Sequence, residues 1–482
     1  MMSLSLALSS ALSGLNVTAR GTQLVADNIA NAQTRAYGVR SLAQASQAYG
    51  GAGNGVAMTG IIRHVDTALL AQYRDATSRN GDETLRGGFW QRVEVGLGTP
   101  GETGSLSSGF VDLGSTLQRA SATPDQPAAL QQAVRAAGDL ALKLRDLHEL
   151  VQNEREQADS AIARDVGNLN KSLDEIARLN REIQRQTLQG GDPAGLMDAR
   201  QALVDGVSEL VPVQEFARED GRIMLTGADG SVLVDRTAAT FTFQRTNDPA
   251  PGENVENGGV SAVLLNDREI SKGSSLLSAG SIGAQLHIRD MAAPKMQQKL
   301  DRLAADLVER FSSPEVDVSL ATGELGLFSI SGEAELPDDI TGIAGRIMLN
   351  PAVDPAAGGE VWHLRAGLNA TAPGDAADNS VLMRMVATLE KPTQLPGTAA
   401  RSASAHTHAT DIASEVASER LGLEMRRTQS TARLATIGEA LAAQGVDSDA
   451  EMSRLLILEQ AYSANARVIS TIDAMLRTVL EI

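Results

Sequence analysis

The two ends of the chain carry matching helical repeats, which constrain the fold more than any other feature of the sequence. Near the N-terminus, small and apolar residues recur at alternating steps of four and three, at Leu8, Leu12, Leu15, Ala19, Thr22, Ala26 and Ile29. The same steps return near the C-terminus, at Val468, Ile472, Met475, Val479 and Ile482. Such spacing lines the residues along one stripe of an α-helix that a partner helix can cover. Because chain ends usually fray, two apolar, periodic ends predict that each has a partner, either the other end or another subunit.

The composition disfavours several classes of function. The 482 residues are enough for several domains, and the formal net charge is −18. Nucleic acids and anionic membrane surfaces attract basic faces, so this acidic chain is predicted to bind neither. Cysteine is absent, which excludes disulfides, thiolate zinc sites and a cysteine nucleophile.

The N-terminal apolar run does not have the form of a cleaved signal peptide. Its first charged residue is Arg20, which follows the run instead of preceding it. No stretch reaches the roughly 18 apolar residues that cross a bilayer. We therefore expect no membrane insertion and, if the chain is exported, a route that does not read a cleaved signal peptide.

A long helical repeat dominates the middle of the chain. It follows the Thr123–Pro127 cluster, whose residues suit the first positions of a helix. Steps of four and three run from Leu130 to Ile183, interrupted at Arg155 and Ala158 by one extra step of four, a stutter. About 60 residues of helix would extend roughly 90 Å, either as one rod or folded into a hairpin.

Two stretches have the shorter period of β-structure. The first contains the predicted strands around Val213 and Glu215 and in Arg222–Thr226, Val232–Val234 and Thr240–Phe243, with a hairpin turn at Gly227–Gly230. The second is rich in Gly and Pro and includes Arg346–Leu349 and Val361–Leu364. Residues 50–60 are predicted to be a Gly-rich turn or loop, and 61–95 a helix. Ser448 and Glu451 predict a capping box that starts the terminal helix.

The pattern as a whole predicts an α+β multidomain fold, with terminal helices in an α-helical coiled coil, a long helical bundle or rod, and β-rich insertions. The predicted domains are 1–45 with 446–482 (coiled coil), 46–210 with 276–311 and 376–445 (rod), 211–275 (β-rich insertion), and 312–375 (second, smaller β-rich insertion).

Three motifs could suggest chemistry, and none is complete. His148 and Glu149 begin a zinc-type motif, but Gln152 stands where the second histidine ligand belongs. Gly96, Gly98 and Gly101 form a GxGxxG in a loop-like context with Pro100 inside it. His406 and His408 alternate in what looks like a Ser/Thr/Ala linker with no carboxylate nearby. We therefore predict no catalytic, cofactor or metal site and no enzyme activity.

Two sequence signatures resemble those of the bacterial flagellar axial proteins, which include the rod, hook and hook-associated proteins. Leu12–Asn16 with Asp27–Asn31 resembles their N-terminal signature, and Glu459–Thr471 their C-terminal one. In the middle, the long helix followed by Leu196–Gln201 and Leu203–Asp205 resembles the hook-associated protein 1 family. One departure is Thr34-Arg35-Ala36-Tyr37, where the family usually has Thr-Pro-Gly-Tyr at a sharp turn.

The resemblance implies a structural protein of the bacterial flagellum, secreted through the type III apparatus and located at the hook–filament junction. It implies a homo-oligomeric ring of about 11 subunits, in which the terminal helices form the inner tube and the β domains face outward. The hook protein would lie below the ring and the second junction protein above it. An export chaperone would cover the C-terminal helix, and the ring would be required for filament assembly.

The predicted assembly residues lie on the two terminal helices. The N-terminal seam consists of Leu8, Leu12, Leu15, Ala19, Ala26, Asn28, Ile29 and Asn31. The C-terminal seam, which would also bind the chaperone, consists of Leu455, Leu458, Gln460, Tyr462, Val468, Ile469, Ile472, Met475, Leu476 and Val479.

Two other functions remain open at this stage. The first is another flagellar axial protein, either the hook protein or the second junction protein. The second, more distant, is a secreted hydrolase on a flagellin-like frame, which would need a complete set of catalytic residues.

Overall fold

The computed structural model describes residues 2–49, 52–398 and 401–480. Its helices are α1 (Met2–Ala30), α2 (Thr67–Leu97), α3 (Leu106–Ala122), α4 (Pro127–Leu188), α5 (Ala194–Leu210), α6 (Gly280–His287), α7 (Ala293–Phe311), α8 (His363–Ala366), α9 (Ser380–Glu390), α10 (Ala405–Ala443) and α11 (Ser448–Leu480). Its strands are β1 (Val39–Tyr49), β2 (Ala52–His64), β3 (Val213–Ala217), β4 (Ile223–Gly227), β5 (Val232–Val234), β6 (Phe241–Thr242), β7 (Leu264–Leu265), β8 (Arg268–Glu269), β9 (Phe328–Ile330) and β10 (Ile347–Leu349). Long helices with small sheets confirm the predicted α+β class. The division into domains stays a prediction.

The central repeat folds as one uninterrupted helix. α4 has 62 residues and extends roughly 90 Å at 1.5 Å per residue, so it is a rod and not a hairpin. Pro127 occupies its first turn, where a missing N–H costs nothing. The apolar steps read from the sequence form its buried face, including Leu144 and Leu173.

Two hydrophobic cores are strung along α4. The first packs α2, α3, α7, α9 and α10 against the N-terminal half of α4, around side chains such as Phe89 and Leu300. The second packs α5, α6 and the sheet β3–β5 against the C-terminal half, around Val207 and Leu225. On α4 the border between the cores falls between Ala158 and Ile162.

The first predicted β stretch is correct. β3, β4 and β5 form an antiparallel sheet in that order, with Val213 paired to Gly227 and Ala217 to Ile223. The turn between β4 and β5 lies where the sequence places it, and Gly230 supplies the positive φ of 83°. A second small sheet joins β6, β7 and β8.

The second predicted β stretch, 312–375, contains little β-structure. Only β9 and β10 pair there, and Val361–Leu364 is a turn leading into α8 rather than a strand. Its apolar side chains pack on the helices: the Phe328 ring lies 5.4 Å from the Phe311 ring of α7. This stretch therefore shares the first core instead of forming its own, because two three-residue strands cannot cover a hydrophobic face.

Residues 39–64 form a strand pair that sequence reasoning missed. β1 and β2 are antiparallel, with Val39 paired to His64 and Leu42 to Ile61. The predicted loop is wrong over residues 52–60, which lie in β2, and its residues 50 and 51 lie outside the described residues. The predicted helical start at Ile61 is also wrong. Between Arg40 and Arg63 the side chains of this ribbon are uncharged and mostly small, and they give no apolar alternation, which is the signal of a strand. The ribbon also crosses the predicted domain boundary between residues 45 and 46.

The terminal helix is capped by a different residue from the one predicted. Asp447 accepts hydrogen bonds from the N–H groups of Asp449 (3.0 Å) and Ala450 (3.1 Å), so it is the N-cap. Ser448 is the first helical residue and not the N-cap. The predicted capping box between Ser448 and Glu451 is therefore wrong.

In the structure, residues of the three incomplete motifs form hydrogen bonds, turns and a helix start. Gln152 donates from Nε2 to Gln297 Oε1 (3.0 Å), and Gly98 and Gly101 lie in the turn between α2 and α3 with positive φ. The linker interpretation of His406 and His408 is wrong, because both lie in the first turn of α10, where Ser404 provides the N-cap. Among the described residues there is no group of three His, Asp or Glu side chains that could hold a metal ion. The helices described here are also too short or too polar to cross a membrane.

Candidate assembly site at the paired chain ends

The first and last helices of the chain pack against each other. Gly14 faces Asn465 and Gly21 faces Leu458, so moving forward along α1 means moving backward along α11, and the pair is antiparallel. A Cβ at Gly14 would lie 2.8 Å from Asn465 Nδ2, and one at Gly21 would lie 3.1 Å from Leu458 Cδ2. The two glycines therefore permit a close approach that larger residues would prevent.

The buried face of α1 follows a second repeat, displaced by one position from the predicted one. It also has steps of three and four and is made mainly of small or polar residues: Ala11, Gly14, Thr18, Gly21, Val25 and Asn28. The side of α11 that packs on this face is made of large apolar residues. Ile472 is buried there, and the half-buried residues are Leu455, Leu458, Ile469 and Leu476. Pairing of the two ends therefore uses the small side chains of α1 and the large side chains of α11.

The predicted seam residues divide between this covered face and the surface. On α1, Asn28 is buried; Leu8, Leu15, Ile29 and Asn31 are half-buried; Leu12, Ala19 and Ala26 are exposed. On α11, Gln460, Tyr462, Val468 and Met475 are exposed. Ile482 and the side chain of Val479 lie outside the described residues. Which of these contact another subunit stays a prediction.

An apolar stripe on α11 is largely uncovered in the monomer, with four of its five residues exposed and Ala461 half-buried. We call it the outer stripe, and it consists of Ile457, Ala461, Ala464, Val468 and Met475. The three large side chains are exposed by 64% (Ile457), 44% (Val468) and 50% (Met475). The stripe continues the C-terminal repeat of the sequence backward by nearly three turns. Contiguous exposed apolar residues of this kind mark interaction surfaces.

Asn28, within the N-terminal signature, fastens the end of α1 to the ribbon. Its side chain is fully buried. Nδ2 donates to the carbonyl of Arg40 (2.9 Å), while Oδ1 accepts from the N–H of Arg40 (3.1 Å) and from the hydroxyl of Tyr37 (2.8 Å). The amide thus pairs with a strand backbone as another strand would, which only Asn or Gln can do.

Asp198 of α5 joins the ribbon to the rod. It accepts from the N–H of Gly38 (3.0 Å), from Arg63 Nε (2.7 Å) and from Arg40 Nη2 (2.5 Å). Arg40 and Arg63 are directly opposite each other across the strand pair, where like charges repel unless an anion lies between them. Gln201 accepts a further bond from Arg63 (2.5 Å). Sequence reasoning quoted Leu196–Gln201 but did not name Asp198 as a site residue; the facing arginines become visible only once the ribbon is known.

A second ionic contact joins α2, α5 and β3. The guanidinium of Arg74 is buried and donates to Asp205 Oδ1 (2.7 Å) and to Glu215 Oε2 (2.7 Å). Burial raises the pKa of Asp205, and the charge of Arg74 opposes that shift. This contact fixes the start of α2, and so the direction in which the ribbon leaves the rod.

The sharp turn of Thr34–Tyr37 is present without the Pro-Gly that the family resemblance predicts. The N–H of Tyr37 donates to the carbonyl of Thr34 (2.9 Å), which closes a four-residue turn. The guanidinium carbon of Arg35 lies 4.2 Å from the centre of the Tyr73 ring. A turn that any L-residue can adopt, anchored on α2, replaces the one that Pro and Gly would impose.

Comparisons with known proteins agree with this architecture. Residues 90–317 match the family model described as flagellar hook-associated protein FlgK helical domain. Residues 438–482 match the C-terminal segment of the flagellar basal body rod FlgEFG proteins. The first match runs from the end of α2 to the loop after α7, and the second covers α11.

Individual relatives carry one name. Flagellar hook-associated protein 1 of Salmonella typhimurium is 27% identical over 66% of this chain and 58% of its own length. The Escherichia coli protein of the same name is 26% identical over 68% and 61%, so these alignments span less than two thirds of either relative. The Bacillus subtilis protein of that name is 23% identical over 100% of this chain and 98% of its own.

A solved structure, the flagellar hook junction protein FlgK from Burkholderia pseudomallei, is also similar. It aligns with a TM-score of 0.45 and 18% identity over 54% of this chain and 47% of that one. By its sequence, the chain is similar to proteins named flagellar hook-associated protein 1, and residues 90–317 are similar to the helical domain of that family.

Proposed function

We propose that this chain is a structural subunit of the bacterial flagellum that forms the first junction ring between hook and filament and is required for filament assembly. The observation that carries the proposal is the outer stripe on α11: the paired ends satisfy one face of each helix and leave a second, apolar face uncovered. The relatives named flagellar hook-associated protein 1 supply the location.

The proposed ring forms through the faces that the α1–α11 pair leaves open. The small side chains of α1 hold the pair together within one chain, while Leu12 and the outer stripe contact neighbouring copies. Burying these four large apolar side chains per subunit, Leu12 and the three of the outer stripe, would contribute on the order of 10 kcal/mol. That is enough to drive a ring of about 11 identical subunits, in which each contact is head-to-tail and the rotation closes.

The remaining partners follow from this position. The hook protein would lie below the ring and the second junction protein above it, with the terminal helices around an inner tube and the rod facing outward. The chain would be secreted by the type III apparatus with a chaperone on the C-terminal seam, because the exposed apolar side chains of α11 need cover before assembly. This role requires no catalysis, and we propose that the protein is not an enzyme.

The test is electron microscopy of cells that lack the gene, with an assay for flagellin shed into the medium. Hooks of normal length without filaments, together with free flagellin, would support the junction role. Missing hooks would instead indicate a role in the rod or in the hook. Intact filaments would refute an axial role that this chain alone fulfils.

A substitution tests the outer stripe directly. The triple variant Ile457→Asp, Val468→Asp and Met475→Asp is expected to abolish filament formation when it replaces the normal protein, because three carboxylates cannot be buried in a helix seam. The matched control carries the same added charge on another face of α11, at Ser463→Asp, Ser470→Asp and Ala474→Asp, which are exposed. Loss of filaments in both variants, or in neither, would contradict assembly through the stripe.

A further inference from the structure

Two of the helices that run between the two cores are irregular at the same level. On α4 the stutter just after Arg155 and Ala158, where two steps of four follow each other from Ala158 through Ile162 to Val166, interrupts the regular repeat. Opposite it, residues Ile288–Ala292 form a π-helical turn between α6 and α7. A π turn holds one residue more than an α turn and commonly marks a place where a helix bends or shifts. The apolar repeat of α4 and the backbone geometry of the opposite helix thus both change where the first core ends and the second begins.

Buried charges occupy this border instead of apolar side chains. Arg155 is 1% exposed, and Asp159 and Arg289 are 0% exposed. Arg289 Nη1 donates to Asp159 Oδ1 (2.8 Å). Arg155 donates to the carbonyls of Arg289 (3.2 Å) and Ala250 (2.8 Å) and to that of Glu253. Burying ions is costly, and apolar side chains of the same size would join the two cores more firmly.

A strap of irregular chain, residues 245–253, closes the border from outside. The N–H of Thr246 donates to Asp159 Oδ2 (2.8 Å), and Arg245 Nη2 donates to Glu156 Oε1 (2.9 Å). With the two carbonyls that receive Arg155, every one of these contacts between strap and α4 is polar. Such contacts can re-form after a small displacement, whereas close-packed apolar contacts resist it.

We propose that Arg155, Asp159, Arg289 and the π turn form a flexure joint, at which the second core and its β sheet change angle relative to the first. Each core moves as a rigid body, α4 bends at its stutter, and the π turn absorbs the change in length on the opposite side. The inference rests on internal packing and does not depend on the proposed function.

The absence of cysteine makes the test direct, because spin labels attach only where a cysteine is introduced. The two labelled sites are exposed and lie on either side of the joint. They are Val95→Cys on α2, at the surface of the first core, and Leu188→Cys at the far end of α4. Val95→Cys with Leu142→Cys, also exposed, reports the first core alone. Pulsed EPR on the full-length protein should give a distance distribution at least twofold wider for the first pair. Equal widths would overturn the proposal without any further variant.

A second measurement assigns the motion to the cluster. Arg155→Met, Asp159→Leu and Arg289→Met together should narrow the wide distribution about twofold, to the width of the single-core pair. The matched control replaces another buried ion pair, Asp306→Leu with Arg310→Met, which lies inside the first core and should leave the width unchanged. Deletion of exposed Met291, which would restore regular α-helical spacing, should narrow it as well. A distribution that stays wide in both joint variants would refute the assignment.

Discussion

Two asparagines of the N-terminal signature have unequal structural roles. Asn28 makes three hydrogen bonds to Arg40 and Tyr37 from a fully buried position. Asn31, half-buried, donates to the carbonyl of Asp27 within its own turn (2.9 Å). Asn28→Ala is therefore expected to destabilise the junction of α1 and the ribbon by about 3 kcal/mol, because it leaves buried partners unpaired.

Hydrogen exchange at the amides of Gly38 and Arg40 measures this effect locally. Asn31→Ala is the control and should change these exchange rates little. Equal acceleration by the two variants would show that Asn28 has no special fastening role.

His287, at the border of the two cores, predicts an acid-sensitive fold. Burial, and then the charge of Arg86, lowers its pKa from the ordinary 6.5 to about 4. The unfolded chain binds this proton at higher pH than the folded chain does, so stability is full above pH 6.5 and falls as the pH drops toward 4. The loss is expected to reach about 3 kcal/mol.

Urea midpoints between pH 7 and 4 check the acid effect. His287→Gln should flatten the pH dependence, whereas His406→Gln, at an exposed site, should retain it. An unchanged slope in the His287 variant would assign acid sensitivity to other groups.

Among the elements, the α1–α11 pair depends on small side chains. Gly14→Leu with Gly21→Leu raises the helix propensity of α1 but places two branched side chains against Asn465 and Leu458. The pair is expected to separate, so that amides of α1 exchange at least tenfold faster. Ala19→Leu, on the exposed face, is the control and should preserve protection. Undisturbed exchange in the double variant would mean that the glycines do not set the spacing.

Helical elements could be predicted well from the sequence, and their faces less well. The steps of four and three located α1, α4 and α11, because a buried helix repeats its apolar residues at that period. For α1 the larger side chains did not indicate the face that pairs within the chain: α11 covers Gly14 and Gly21, and Leu12 is exposed. Whether the predicted face contacts another subunit stays a prediction. A repeat shows that a helix has a seam, but not which partner covers it.

The β1–β2 ribbon marks the other limit of prediction. Its only charged residues between 39 and 63 are Arg40 and Arg63, and its register is set by Asn28 and Asp198, which are remote in sequence. No local pattern records contacts of that kind. The candidate site was therefore predictable as a pair of helices, while the polar contacts that orient it were not.

At the scale of the whole molecule, the described part of both cores contains no side chain of α1 or α11. Removing residues 448–482 should consequently leave the cores folded, with a urea midpoint within about 0.3 M of the intact chain because little core surface is lost, yet abolish assembly. Denaturation followed by circular dichroism, with filament counts in complemented cells, measures both. A large drop of the urea midpoint would show that the C-terminal helix stabilises the cores. Normal filaments would show that residues 448–482 are not needed for assembly.

The antiparallel pairing of the first and last helices also has a consequence for quality control. Gly14 and Asn465 are in contact although nearly the whole sequence separates them. Contacts between residues so far apart in sequence form late in folding, after local contacts. The N-terminal helix leaves the ribosome first and has no mate until the C-terminal helix has been synthesised. A chain cut short, or clipped by a protease between its ends and then separated, can fold its cores but cannot complete this pair. Pairing of the ends is therefore a property of full-length copies alone, and in the proposed assembly only such copies would join the growing structure.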